Sequence, residues 1–379
     1  MARTVAYVHQ AMLQHRVWLL RDPFTRIKLI DTVQRNSFLL IQDDTIHNLY
    51  GGNKARKLDA LIPDLLSRDV TDVVTCGGLQ SAHTSAVSAA LNEASVLYGR
   101  HVRVHLLVRG ERPAFPTGHH LMALMHAETV TYVNRSRYAN RQAMLTEEAQ
   151  LLSKRYFNSK VAVIEEGAQG PLAMLGFIRL VHWLASSSKG LPDPLHTAYH
   201  IVVDSGTGTS AVGLALGVRL MGLPWHIVGV MLAGNEEYYA SQSCRLSSLF
   251  DLELSSGAFV QDVGLEESAG GNISTDSSVG LPLTWVNRER TRKFGNLLPG
   301  DVEACKEIAR KHGVLVDPIW TLSAWEVSEM LSAEISEGPE MSPGGIEAGF
   351  KAKKAIVMLH TGGAALALQG LGQRFPDAF

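Results

Sequence analysis

Four short stretches of this sequence combine residue types that can do chemistry. In YGGNKARKLDAL, residues 50–61, Lys54 follows Gly51, Gly52 and Asn53 at the head of a helical pattern. Leu58, Leu61, Ile62, Leu65 and Leu66 recur at i, i+3, i+4, i+7 and i+8, which predicts a single buried face. At about 100° per residue, Lys54 falls inside that stripe, Lys57 lies at its edge and Arg56 points to the opposite side. Of these cations only Lys54 is expected to face inward. Desolvation lowers the pKa of a lysine amine, and a neutral amine attacks carbonyl carbon, so Schiff-base chemistry is one outcome. A first-turn lysine that snorkels its ammonium into water is the other.

The other three stretches are turns between a strand and a helix, where an open parallel sheet binds ligands. In VVDSGTGTSAVGLALG, residues 202–217, a strand runs through Gly206, Thr207, Gly208, Thr209 and Ser210 into a helix. Glycines let backbone N–H groups approach an anion, hydroxyls add donors, and the helix amino terminus adds partial positive charge. The turn fits a phosphate cup or simply a tight strand-to-helix connection. It has no GK[ST] sequence, and although Gly206, Gly208 and Ala211 match the alanine-ended dinucleotide fingerprint, no acid follows at the spacing that holds a ribose. In VVTCGGLQSAHTSAV, residues 73–87, Ser81 is placed to cap a helix, whose first-turn N–H groups would also suit a carboxylate. His83 shares a stripe with Val87, Ala90 and Leu91 and reads first as a core histidine. In VMLHTGGAALAL, residues 357–368, His360, Thr361, Gly362 and Gly363 join a strand to a helix. A lysine in an apolar stripe, a phosphate cup and a carboxylate-sized helix mouth are the parts needed to hold pyridoxal phosphate and an amino acid.

The elements that must position these turns are legible too. Strand candidates SFLLIQ, VTDVVTC, VRVHLLV, TVTYV, KVAVIE, YHIVVD, WHIVGVML and KAIVML alternate with helical patterns, which implies βαβ units and two doubly wound, mostly parallel sheets. SSSKGLPDPLH, residues 186–196, reads as a connection between them, and EISEGPEMSPGGIEAG, residues 334–349, as a surface loop. A chain of 379 residues, 46% hydrophobic, buries one or two sizeable cores. A net charge of −2 without a basic run makes nucleic acid and anionic membrane poor partners, and no apolar run is long enough to span a bilayer. A small molecule fits better. Cys76, Cys244 and Cys305 lack metal-ligand spacing, so no metal site is expected; reduced, mostly buried thiols in an intracellular compartment are. Residues 1–21 hold Arg3, Arg16 and Arg21 but no acid, a faint presequence pattern that leaves a mitochondrial or cytoplasmic location open.

GGNKARKLDALIPDLL, CGGLQSAHTSAVSAA, DSGTGTSAVGL, RKFGNLLPGDVEACKEIARKHGVLVDPIWTLSAWE and VMLHTGG together resemble the D-cysteine desulfhydrase and 1-aminocyclopropane-1-carboxylate deaminase family. The likeness runs from about residue 37 onward and extends to plant mitochondrial-type members. It implies an α/β, tryptophan synthase beta-like fold of type II pyridoxal-phosphate enzymes. Residues 1–66 and 187–379 would form a large cofactor-binding domain, and 67–186 a small substrate-side domain. Lys54 would carry the cofactor as a Schiff base and shuttle the α-proton, and Gly206, Thr207, Gly208, Thr209 and Ser210 would hold its phosphate. Asn53 would sit beside the ring, Thr321 would meet the pyridine nitrogen, and Gln80, Ser81, His83 and Trp320 would line the substrate side. Family members that open the cyclopropane ring carry glutamate where Thr321 stands, so the likeness favours β-elimination of D-cysteine to pyruvate, hydrogen sulfide and ammonia. It also implies a homodimer.

Two departures from the family pattern stand out. Ala82 replaces the asparagine of QSNH, which removes a hydrogen bond to the ring hydroxyl, although plant mitochondrial-type relatives share QSAH. Trp320 in VDPIWT replaces a tyrosine, and an indole is a donor that does not ionise, so it cannot relay protons as a phenol does. Deamination of the cyclopropane amino acid, dehydration of serine, and cofactor binding with little turnover therefore stand as alternatives.

Overall fold

The computed structural model describes residues 12–14, 16–22, 24–32, 36–256, 259, 280–336 and 353–379. Among them ten strands form two sheets: β1 (Ile27–Asp31), β2 (Ser37–Ile41), β3 (Asp72–Gly78), β4 (Arg103–Arg109), β5 (Thr129–Val133), β6 (Val161–Ile164), β7 (Thr197–Ser205), β8 (His226–Met231), β9 (Leu283–Asn287) and β10 (Lys353–Leu359). One sheet has the order β1-β2-β10-β7-β8-β9 and is parallel except for antiparallel β1; the other, β5-β4-β3-β6, is wholly parallel. The α/β class and mostly parallel pairing expected from the sequence are therefore present. Strands β1 and β9 were not legible: both are edge strands whose residues, Ile30 apart, are half-exposed or exposed, and neither forms an apolar run.

Parallel strands are buried on both faces, and successive side chains point to opposite faces. In β7, Tyr199, Ile201 and Val203 pack with Ala211, Leu214, Ala215 and Val218 of the Thr209–Met221 helix. Val202 instead joins Leu322 and Trp325 of the Thr321–Ser336 helix. In the other sheet, Val73 packs with Leu58, Ile62, Val87 and Leu91, whereas Val74 and Cys76 pack with Met144, Leu145 and Leu152. The helix layers thus hold fixed the carboxyl ends of β3, β7 and β10, from which three of the glycine turns depart.

Packing divides the chain into two compact units. The first holds the described residues of Met1–His15, Pro23–Asp43 and Phe177–Thr361, and the second those of Arg16–Asp22, Asp44–Gly176 and Gly362–Phe379. This partition differs from boundaries at 66/67 and 186/187. The Asn53–Ser67 helix gives Leu58, Ile62, Leu65 and Leu66 to the core of the four-stranded sheet, which places Lys54 in the second unit. The connection at 186–196 lies wholly within the first unit. Most of the presequence-like segment and residues 337–349 of the expected surface loop lie outside the described residues. No helix of the described residues is long and apolar enough to cross a membrane. Cys76 and Cys305 are free and buried, and Cys244 is free and exposed, so the thiols are mostly buried as expected.

Candidate active site

In the second unit, Gly52, at φ +82, leads directly into the Asn53–Ser67 helix, which no side chain caps. Lys54 is half-buried and its Nζ donates to Asn53 Oδ1 at 2.7 Å. The amphipathic template fails for its neighbours: Arg56 is 0% exposed and Lys57 4%, both deeper than Lys54. The reason is cover on more than one side. Lys57 Nζ donates to Gly167 O at 2.7 Å, and the Arg56 backbone lies so close to Gly176 that a Cβ there would meet its carbonyl at 2.0 Å. Inward phase therefore does not single out Lys54; its half-open position at the head of the helix does.

Gly362 passes directly over this turn. Its φ is +78, and a Cβ on it would come within 2.4 Å of Gly51 O, so both the backbone conformation and the approach require glycine. The neighbouring Gly363 faces His119, whose Nε2 lies 3.5 Å from the point a Cβ would occupy, and Ala82, whose Cβ lies 4.0 Å from it. Ser81 does cap the Ala82–Tyr98 helix, its Oγ accepting the Thr84 N–H at 3.3 Å. Gln80 is a brace: its Nε2 donates to Thr117 O and its Oε1 accepts the His119 N–H, each at 3.1 Å.

Two buried imidazoles lie within reach of the Lys54 charge. His83 is 4% exposed and His119 4%. Burial pushes His83 down to about 3, with the Lys57 and Lys54 charges adding to it. Burial also pushes His119 down to about 4, followed by the Lys54 charge. Both rings are therefore neutral near pH 7. Thr75 spends its only hydroxyl hydrogen on Ile164 O at 2.7 Å, so His83 Nε2 is assigned as the donor to Thr75 Oγ1 at 2.8 Å. His83 is thus a satisfied core histidine. His119, absent from the sequence-based set, contacts Ser85 Oγ through Nδ1 at 2.9 Å. Its signal was the start of a helix, TGHHLMAL, without periodicity strong enough to separate it from His120.

In the first unit, β7 ends at Ser205 and the Thr209–Met221 helix begins after Gly208, at φ +79, with no side-chain cap. Thr209 and Ser210 are buried, and the Thr207 and Thr209 hydroxyls lie 3.1 Å apart. A Cβ on Gly206 would meet the Trp320 ring at 2.9 Å, so the indole packs against this turn. Phe294 meets Trp320 edge-on at 4.9 Å. Thr321 is 0% exposed, and its Oγ1 donates to Asp317 Oδ2 at 3.0 Å while accepting the Asp317 N–H at 2.8 Å. Its hydrogen is thereby committed to Asp317, and donation to a ring nitrogen would require exchanging that bond. Asp204, just before the turn, accepts from Thr361 Oγ1 at 2.6 Å. An uncapped helix start behind a positive-φ glycine, flanked by three hydroxyl residues, is the donor set a phosphate requires.

No family model matches the chain. A protein of Oryza sativa subsp. japonica named "Putative D-cysteine desulfhydrase 2, mitochondrial" is 38% identical over 369 residues, spanning 91% of this chain and 81% of that protein. The "Bifunctional D-cysteine desulfhydrase/1-aminocyclopropane-1-carboxylate deaminase, mitochondrial" of Arabidopsis thaliana is 23% identical over 349 residues, spanning 92% of this chain and 72% of that protein. The crystal structure of an ACC deaminase homologue superposes with a TM-score of 0.72 at 22% identity, covering 98% of this chain and 99% of the other, and shares the fold. Extensive identity with the rice protein, together with this fold, shows that the chain belongs to the D-cysteine desulfhydrase and 1-aminocyclopropane-1-carboxylate deaminase family of fold-type II, pyridoxal-phosphate-dependent lyases.

Proposed function

We propose that the chain converts D-cysteine and water to pyruvate, hydrogen sulfide and ammonia. The observation that carries this is Lys54: a half-buried amine at the head of an uncapped helix, held by Asn53 at 2.7 Å, whose charge reaches two buried neutral imidazoles. The names of the rice and Arabidopsis relatives supply the substrate class.

The residues present fit pyridoxal phosphate. Gly206, Thr207, Gly208, Thr209 and Ser210 would hold the phosphate through backbone N–H groups and hydroxyls, and Lys54 would bond to the aldehyde. When bound, the cofactor supplies an electron sink for the pair left behind as the α-proton departs. Asn53 orients the Lys54 amine, and Lys54 takes the α-proton. Ser81 and the first-turn N–H groups of the Ala82–Tyr98 helix orient the substrate carboxylate, while Gln80 fixes the segment that carries His119. His83 is a fixed neutral wall, and Trp320 excludes water beside Gly206. A homodimer and a mitochondrial location complete the proposal; the second is supported by the relatives' names and both are open to direct measurement.

The test is a panel of D-cysteine, L-cysteine, D-serine and the cyclopropane amino acid, assayed for sulfide, pyruvate and 2-oxobutanoate. Sulfide and pyruvate from D-cysteine are expected; 2-oxobutanoate alone overturns the substrate assignment. A second possibility, cofactor binding with little turnover, is favoured by Trp320, whose packing on Gly206 is a steric role that needs no proton relay. A yellow protein inactive on the whole panel would establish it.

A further inference from the structure

We propose that Tyr239 is a positioning residue that sets the polarity of the 206–210 turn, holding its carbonyls away from the phosphate so that its N–H groups face the anion. This rests on assigning that turn to the cofactor phosphate. An anion cup fails if even one peptide plane flips, because a carbonyl oxygen then replaces a donor beside a negative charge. Glycines permit the cup but also permit the flip. Something must therefore hold the carbonyls.

Tyr239 lies in the first turn of the Glu236–Ser255 helix, after β8, and is 0% exposed. Its hydroxyl lies 2.5 Å from Ser205 O and 3.0 Å from Gly206 O, the two carbonyls that open the turn. The same oxygen accepts the Ala233 N–H at 3.1 Å and shares the Leu232 N–H, at 3.2 Å, with Ser205 O, to which that N–H also donates at 3.2 Å. With both acceptor positions filled by these N–H groups, its single hydrogen is directed to the Ser205 and Gly206 carbonyls. Its ring packs on Trp285 at 4.6 Å between centroids, and both rings back Gly208: a Cβ there would lie 3.4 Å from Trp285 and 3.7 Å from Tyr239. Trp285 is in turn held by its Nε1–H to Ser243 Oγ at 3.0 Å. The turn is thus gripped at Gly206 by a hydrogen bond and at Gly208 by two aromatic faces.

The experiment titrates the full-length apoprotein with pyridoxal phosphate and with pyridoxal, followed by the visible absorbance of the lysine-bound aldehyde. The affinity ratio of the two ligands isolates the phosphate. Wild type is expected to prefer pyridoxal phosphate strongly. Tyr239→Phe is expected to cut that preference about tenfold while leaving pyridoxal binding unchanged, the scale of one hydrogen bond to a charged group. Equal losses for both ligands, or an unchanged ratio, overturn the role of Tyr239. A wild type with no preference overturns the phosphate assignment itself, a distinct outcome. If Tyr239→Phe does not fold, 4-fluorophenylalanine at the same position supplies an isosteric ring without a donor, judged by the same ratio.

Discussion

The Lys54 turn and the 206–210 turn have the same local design, a glycine at positive φ leading into a helix that no side chain caps, yet they would act through different parts of the chain. At Lys54 the proposed chemistry would reside in one amine and in the neutral polar groups around it. At 206–210 it resides in backbone direction, imposed from outside by Tyr239 and Trp285. Side-chain chemistry is vulnerable to deletion and to pH, whereas backbone chemistry is vulnerable to conformation.

Substitutions can break this contrast. Lys54→Ala should abolish the visible band and lower turnover by about 10³-fold or more, since both the covalent link and the proton transfer are lost. Turnover within tenfold of wild type would remove Lys54 from its role. Gly208→Ala should leave the Lys54 turn intact and weaken pyridoxal phosphate about tenfold, because φ +79 is costly for an L-residue, while the new Cβ would only reach ordinary contact with Trp285. A matching loss for pyridoxal would indicate general unfolding instead.

Acid should act on the Lys54 side, where the two buried imidazoles lie. His83 and His119 are held at about 3 and about 4 in the folded protein, below the ordinary value near 6.5 that the unfolded chain recovers. The unfolded state binds their protons first, so stability is lost as pH falls from about 6.5 toward those values, by on the order of 2–3 kcal/mol per ring at pH 4.5. Melting curves of wild type and His119→Gln between pH 7.5 and 4.5 test this. The variant should lose less stability on acidification, and parallel curves would contradict it. The smallest effect is that of Ser81→Ala, about 1 kcal/mol of stability for the lost cap. Ser81→Thr should restore that stability, and a larger fall in turnover than in stability for Ser81→Ala would mark a catalytic contribution.

Much of the fold was legible because it is written in period-2 and 3.6-residue patterns: β2–β8 and β10 fall on the apolar runs, and Ser81 caps where its sequence context placed it. The site was legible where a residue type is itself unusual, as with Lys54 among glycines. It was not legible where tertiary cover decides. Arg56 is fully buried although its helical phase faces away from the apolar stripe, because a second helix covers it at Gly176. Thr321 spends its hydroxyl on Asp317, and neither residue type announces that pairing. Tyr239 and His119 lie against turns distant in sequence, so no local pattern could identify them.

The close pass of Gly362 over Gly51 has a consequence for biosynthesis. The Lys54 turn is covered by Gly362, and the whole of Phe177–Thr361 must leave the ribosome before that cover exists. At ordinary elongation rates this is a delay of roughly 10–40 s, during which the nascent second unit lacks its closing segment. Closure of the Lys54 turn should therefore be a late event in the birth of this protein, set by chain order rather than by the strength of any contact.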